Sequence, residues 1–322
     1  MTTAAKTKLN LILHLGGGAI MAVLLADVAS AAVPRAFVST TGSDTNPCSA
    51  VQPCRSFNQA LTVVEPGGEI VVQDSVGYST GFTITQSVTI DASAFNASVI
   101  STSATDLCTI NAGPSDRVIL RGISFHGANV GVKGINVTQV GSLYVEHCSF
   151  AEFFAQGIQQ TIGNLWVTDS IFRSCFEGII VQSTSTAVRL DVEGSRFSEC
   201  STAGVVLNST GTAAASGMIS NCSATLCGGG FGVGSLGSAN ADLTLINSRA
   251  TGNNIGLQVS TNSTGNAIAR LANCVVTNNN TGINKAPSGG GAASILGTTP
   301  GTNLISDNQS GNALGGTVVS LQ

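Results

Sequence analysis

"LWVTDSIFRSC" (residues 165–175) and "LDVEGSRFSEC" (residues 190–200) are two copies of one phrase. Each begins with apolar residues alternating with polar or aromatic ones. Asp169 or Gly194 then breaks the rhythm, and Phe and Cys follow. Aligned on its apolar residues, the phrase opens at Val88, Val118, Leu143, Leu165, Leu190, Gly217, Leu243 and Ala269, at spacings of 22 to 30 residues. Two residues on stand Ile90, Leu120, Val145, Val167, Val192, Ile219, Leu245 and Leu271. Seven residues from the opening stand Phe95, Phe125, Phe150, Phe172, Phe197, Ala224, Ala250 and Val276. A Gly-apolar pair closes most copies, and from Gly178 to Gly282 these glycines recur every 26 residues.

A repeat of this length builds a stacked array. Within each copy the apolar period is two, the signature of strand, and no helix-period segment of useful length interrupts it. Leucine-rich repeats share the period but need L-x-L-x-x-N, whereas Leu243, Leu245 and Asn247 give L-x-L-x-N. The break in rhythm falls on Ala92, Gly122, His147, Asp169, Gly194, Asn221, Asn247 and Asn273. Gly, Asn and Asp tolerate left-handed backbone and serve tight bends. Each copy therefore reads as a strand, a one-residue corner, a second strand, a turn, and a third strand led by Gly. Three strands per coil, each stacked on its equivalent in the next, make a parallel β-helix.

Over about residues 36–300 this layout resembles the right-handed parallel β-helix proteins of the pectin-lyase-like superfamily, and the corner asparagines look like that family's internal asparagine ladder. The resemblance speaks to fold, not to activity. The fold expected is all-β, a right-handed parallel β-helix solenoid with an N-terminal capping helix. Ser56 and Gln59 form an S-x-x-Q capping box, and Phe57, Ala60, Leu61 and Val64 form an apolar helical face. That face closes the open end of the solenoid, which would otherwise expose unpaired strand edges. The expected division is a signal peptide at 1–31, a cap at 32–68, the β-helix at 69–300, and a tail or last coil at 301–322.

The signal peptide rests on Lys6 and Lys8, the apolar run Ala19–Ala26 and the A-x-A site ending at Ala31. That run is shorter than the ~20 residues a membrane span needs, so the mature chain is expected to carry no span and to be secreted, periplasmic or extracellular. Cleavage takes Lys6, Lys8 and Asp27 from 13 basic and 17 acidic side chains, leaving 11 and 16, a formal net charge of −5. Lys133 and Lys285 are then the only lysines, and no basic stripe offers itself to nucleic acid. Nine cysteines in an exported chain leave at least one unpaired. Cys48 and Cys54, in a Pro-flanked loop, are the expected disulfide. Cys148, Cys222 and Cys274 share an inward column with Ser170, Ser195 and Ser248, where a thiol packs as a small hydrophobe. Cys175, Cys200 and Cys227 share another, close enough for vertical disulfides.

Several apparent motifs fail on context. "GVGSLG" (residues 232–237) lacks the helix and acidic partner of a dinucleotide site. "GGGFGVG" (residues 228–234) lacks the Asp of a calcium-binding nonapeptide. "GISFHG" has His126 where a nucleophile elbow needs Gly. His126 and His147 alone make no convincing triad or metal set, and no metal or cofactor is expected. The family resemblance implies that uronate-cleaving enzymes of this fold work in a groove along one sheet, with Asp or Glu as calcium ligands or acid and Arg or Lys as base. Here the Gly-led strands would line such a groove. Their outward residues, Asn136, Gln159, Ile180, Val206, Gly232, Gln258 and Asn284, carry no charge.

The outward columns before the corner are richer. One reads Thr89, Ile119, Tyr144, Trp166, Asp191, and the next Asp91, Arg121, Glu146, Thr168, Glu193. Tyr144, Trp166, Arg121, Glu146 and Asp191 form the candidate substrate-binding group, since exposed aromatics among polar groups suit sugar rings. The expected function is binding or adhesion to polysaccharide or a cell-surface glycan without strong catalysis. The alternatives are a polysaccharide lyase or glycoside hydrolase of the same superfamily, and a structural surface spacer.

Overall fold

The computed structural model describes residues 32–75, 77–79, 81–297 and 302–312. The expected signal peptide lies outside the described residues. Within them the alternating segments become strands of three parallel sheets, of eleven, nine and ten strands. Sheet 1 takes the first strand of each coil, such as Ser142–Glu146, Asn164–Thr168 and Val188–Glu193. Sheet 2 takes the short strand after the corner, such as Ser149–Ala151, Ile171–Arg173 and Arg196–Ser198. Sheet 3 takes the Gly-led strand, such as Gln156–Gln160, Glu177–Ser183 and Ala203–Ser209. The sequence alignment and the strand register agree: Leu143, Leu165, Leu190, Gly217, Leu243 and Ala269 are successive partners in sheet 1. The chain is a right-handed parallel β-helix.

The corner between sheets 1 and 2 holds one left-handed residue per coil: Gly122, His147, Asp169, Gly194, Asn221, Asn247 and Asn273, with φ between 48° and 64°. The coil that opens at Val88 departs from this. Ala92 is not left-handed; Asn96 (φ 51°) is, at the end of a longer turn. Phe95 is thereby displaced to the surface, and Val99 takes its place opposite Phe125. The turn between sheets 2 and 3 carries a left-handed residue in most coils too, at Glu152, Ser174, Glu199, Leu226, Gly252, Asn278 and Asp307.

The internal asparagine ladder sits at this second corner, not the first. Asn221, Asn247 and Asn273 are exposed. Asn253, Asn279 and Asn308 point inward and are buried. Asn253 Oδ1 accepts the Cys227 N–H and Asn279 Oδ1 the Asn253 N–H, both at 2.9 Å. Asn279 N–H donates to Asn308 Oδ1, also at 2.9 Å, and each Nδ2 donates to the next Oδ1 and to a backbone carbonyl. The ladder thus satisfies the backbone groups that the bend frees from sheet pairing. At the first corner hydroxyls and thiols do the same: Ser170 Oγ accepts from Cys148 N at 3.1 Å, Ser195 Oγ from Ser170 N at 3.1 Å and Ser248 Oγ from Cys222 N at 3.2 Å.

Inside, Phe125, Phe150, Phe172 and Phe197 stack with ring centroids 5.0, 4.6 and 4.8 Å apart. The Gly leading sheet 3 is dictated by the carbonyl of the next coil and, where the stack runs, by a phenylalanine ring. A Cβ on Gly157 would come within 2.7 Å of both the Gly178 carbonyl and the Phe172 ring, and one on Gly178 within 2.7 Å of Phe197.

The capping helix is Phe57–Val63, buried through Phe57, Ala60 and Val63. Val64 leaves the helix and begins the strand Val64–Val72. Phe57 packs its ring on Tyr78 and Phe82, at 4.9 and 4.8 Å. Ser56 Oγ accepts the Gln59 N–H at 3.2 Å, as the capping box requires. Asp44 supplies the reciprocal contact, its Oδ1 taking the Ser56 N–H at 2.8 Å. Cys48 and Cys54 form the loop disulfide. At the other end Leu304–Ser306 pairs with Val275–Thr277, so residues beyond 300 contribute to a last coil.

The other seven cysteines are buried thiols. Burial pushes Cys148 and Cys222 up to about 12 and Cys175 up to about 11. Cys200 and Cys227 are hydrogen-bonded to each other, which raises the former and lowers the latter. A thiol reacts as thiolate and only where a reagent reaches it. Alkylation of the folded protein is therefore expected to label none of the seven, and denaturant to expose all seven. Labelling of both Cys48 and Cys54 in the folded, unreduced protein would contradict the loop disulfide.

Gln160 is fully buried, and neither its Nε2 nor its Oε1 finds a hydrogen-bond partner among the described residues. Its register neighbours are Val137 and Val181. A buried unpaired amide costs about 1–3 kcal/mol. Gln160→Met keeps the shape and removes the amide, so chemical denaturation should show a gain of that order. An equal loss would show that the amide is satisfied in solution.

Candidate functional site

Strand alternation turns every second residue of sheet 1 outward, and parallel register stacks these residues coil on coil. Tyr144 and Trp166 are such a pair. Their ring centroids lie 4.6 Å apart with planes 5° from parallel, and both rings are half-buried. Arg117, from the preceding coil, lies with Cζ 4.5 Å from the Tyr144 centroid. Its cation sits on the ring face opposite Trp166, a favourable cation–π geometry. Tyr144 therefore has both faces covered. On the far side of Trp166 the next coil places Asp191, too small a side chain to cover an indole. Among the described residues no ring or guanidinium stacks on the Asp191 side of Trp166.

Asp191 lies 4.0 Å from Arg189. Burial raises its carboxyl above the ordinary 3.8, opposed by Arg189. Arg121 and Glu146 occupy the adjacent outward column and bond to each other at 2.6 Å. The five candidate residues thus form one continuous patch. Sequence reading missed Arg117. It stands two residues before the aromatic column on the same outward face, and only the coil-to-coil geometry shows it reaching across to Tyr144.

Sheet 3 presents a different surface. Its outward row runs Asn136, Gln159, Ile180, Val206, Gly232, Gln258, Asn284 in unbroken register. Asn136 Nδ2 donates to Asp106 Oδ2 at 2.8 Å, and Lys133 lies 3.8 Å from the same oxygen. The remainder of the row is uncharged. The two described histidines are at corners or strand ends, each facing a carboxylate at 3.6 Å: His126 with Glu152 and His147 with Asp169. Among the described residues no three His, Cys, Asp or Glu side chains gather as metal ligands, and no helix is long and apolar enough to cross a membrane.

Three stacked parallel sheets, one-residue corners and internal ladders decide the architecture. It is that of a parallel β-helix. No protein-family profile matches the sequence, and no curated protein matches it. Among solved structures, a rhamnogalacturonan lyase superposes with a TM-score of 0.49 at 14% identity, over 75% of this chain and 74% of that one. Pectate lyase Pel9A superposes with a TM-score of 0.41 at 16% identity, over 81% of this chain and 78% of that one.

The position of Asp191 has a measurable consequence. Its folded pKa is raised, so folding favours the protonated form. Its contribution to stability is fully present below the unfolded value and is lost as pH rises through the folded value. Asp191→Asn removes this dependence. Urea midpoints should place the variant above the wild type at neutral pH and level with it in acid. A variant less stable at neutral pH would show that the Arg189 contact outweighs burial.

Proposed function

We propose that this is an exported glycan-binding β-helix that holds polysaccharide through the sheet 1 patch and does not turn it over appreciably. The observation that carries this reading is the Arg117–Tyr144–Trp166–Asp191 row. It sets an uncovered indole face beside a carboxylate and a guanidinium on a rigid strand surface. A sugar ring laid on that face removes apolar surface from water, and its hydroxyls meet Asp191, Arg189 and the Arg121–Glu146 pair. Aromatic side chains with a polar handle serve such contacts well. Lyase chemistry needs a base and charge stabilisation at the cleaved bond, and the patch commits its charges to ion pairs instead. The hydrogen bonds are few and exposed, so a single site should bind weakly, on the order of millimolar, near −4 kcal/mol. A long polymer touching many protein copies gains strength by avidity.

Trp166 is the only Trp in the chain, so its fluorescence reports the patch alone. Titration with neutral and acidic oligosaccharides should shift its emission, and Trp166→Ala should remove binding at the sheet 1 patch while leaving the β-sheet circular dichroism unchanged. Failure of an aqueous quencher to reach Trp166 would remove the basis of the proposal. So would a sharp fall in melting temperature of Trp166→Ala, which would make the indole a packing element.

A further inference from the structure

The segment "GGGFGVG" (residues 228–234) fits neither a dinucleotide nor a calcium site, yet it shapes a depression on the surface. In the strand Gly229–Ser235, Phe231, Val233 and Ser235 point inward and the outward positions are Gly232 and Gly234. Gly228 holds the preceding outward position, between Ser201 and Asn254 of the neighbouring coils. One whole coil of sheet 3 therefore presents no side chain outward. The coils on either side do, through Thr202, Val206 and Asn208 below and Asn254, Gln258 and Ser260 above. The missing rung leaves a groove of about 400 Å³. Coils lie ~4.8 Å apart, so the walls stand roughly 9–10 Å from each other, wide enough for one sugar-sized ring.

The walls hold unspent hydrogen-bonding groups. Two amide relays descend the surface toward the groove. Gln309 Nε2 donates to Asn280 Oδ1 at 3.1 Å, and Asn280 Nδ2 donates to Asn254 Oδ1 at 3.0 Å. Asn284 Nδ2 donates to Gln258 Oε1 at 2.8 Å. Each relay fixes the flip of its last amide, so that the Asn254 and Gln258 amino groups remain as donors. Each would continue to the next coil, but there it meets Gly228 or Gly232. Across the gap, Asn208 Oδ1 leans over Gly234, where a Cβ would come within 2.5 Å of it. Among the described residues the side chains of Asn208, Thr202 and Ser260 have no hydrogen-bond partner. Val206 and the exposed Leu236 add apolar wall and rim. No ionisable side chain lines the groove.

We infer that the missing rung is a second binding site, separate from the sheet 1 patch, and that its ligand is a neutral, hydroxyl-rich chain, an uncharged oligosaccharide. Fixed amide donors, a carbonyl acceptor and free hydroxyls over a partly apolar floor match the alternating hydroxyl and C–H surfaces of a neutral sugar. A uronate carboxylate would lose water there and gain no cation, a cost that selects against it.

Gly232 makes the test clean. Its φ is not left-handed, and a Cβ there meets Val206 and Gln258 only at ordinary contact distances of 3.8 and 3.9 Å. Gly232→Leu therefore fills the groove without straining the coil. Calorimetry with cellotetraose, mannotetraose, xylotetraose and tetragalacturonate is the direct experiment. At least one neutral tetrasaccharide should bind, with little salt dependence, and tetragalacturonate should not bind at this site. Gly232→Leu should weaken the neutral ligand at least tenfold at unchanged melting temperature, and Gln258→Ala should weaken it in the same direction. Trp166→Ala should leave that binding intact, which separates this site from the one proposed on sheet 1. The inference is overturned if no neutral tetrasaccharide binds, if a folded Gly232→Leu binds like the wild type, or if Trp166→Ala alone removes the binding. Where Gly232→Leu lowers the melting temperature, Gln258→Ala decides by the same criterion.

Discussion

Stacking of each coil on the next in strict register is the constraint from which the rest follows. A parallel β-helix has no separate core to fold around; each coil buries its apolar residues only against its neighbours. Every inward position must therefore match the position above and below in size and hydrogen-bonding character. The phenylalanine stack, the Ser/Cys ladder and the asparagine ladder are three solutions to one problem, chosen by what the backbone needs at each point. Along a strand, sheet pairing satisfies the backbone and the column can be apolar, as at Phe150 and Phe172. At a corner the backbone turns away, and the inward side chain must accept an N–H from the neighbouring coil, as Ser170 and Asn253 do. The leading glycines of sheet 3 reflect how closely each coil's backbone carbonyl and inward side chains approach the next strand.

The same register makes the outside a grid. A residue's column and coil fix its neighbours, so functional groups can be assembled from residues 22 to 30 apart without any loop to hold them. The grid divides its chemistry by face. Sheet 1 carries ion pairs, Arg35 with Glu69, Arg121 with Glu146, Arg189 with Asp191 and Arg270 with Asp242, around its aromatic pair. Such exposed pairs add little stability, so their clustering on one face is more telling for recognition than for folding. Sheet 3 carries amides, hydroxyls and a coil of glycines. One face thus carries charges and aromatic rings, and another amides and a glycine-lined groove.

Much of this was legible because the β period of two and the corner residue are both local signals. Register followed from aligning Leu143 with Leu165 and Leu190, and the Tyr144–Trp166 contact followed from register. What escaped depended on longer or less regular features. Sequence alone places the asparagine ladder at the first corner, where Asn221, Asn247 and Asn273 form a tidy column. Left-handed bends favour Asn for conformational reasons alone, and only the inward residue after a bend can serve a ladder. The second corner was hidden because Glu199, Ser174 and Leu226 are not residues that announce left-handed backbone. Phe95 leaves its expected inward column because the corner after Asp91 carries a longer turn that composition does not reveal. Arg117 and the groove at Gly228–Gly234 both needed three dimensions: one is a diagonal reach between coils, the other an absence flanked by presence.

The function proposed is that the molecule holds glycan chains without transforming them. The most direct test is to pass the mature protein over a broad glycan array, elute what it retains, and weigh the recovered glycans by mass spectrometry. The account predicts selective retention and recovery of every retained glycan at its original mass. Retention of nothing, or recovery of shortened or unsaturated fragments from any retained polymer, would contradict it.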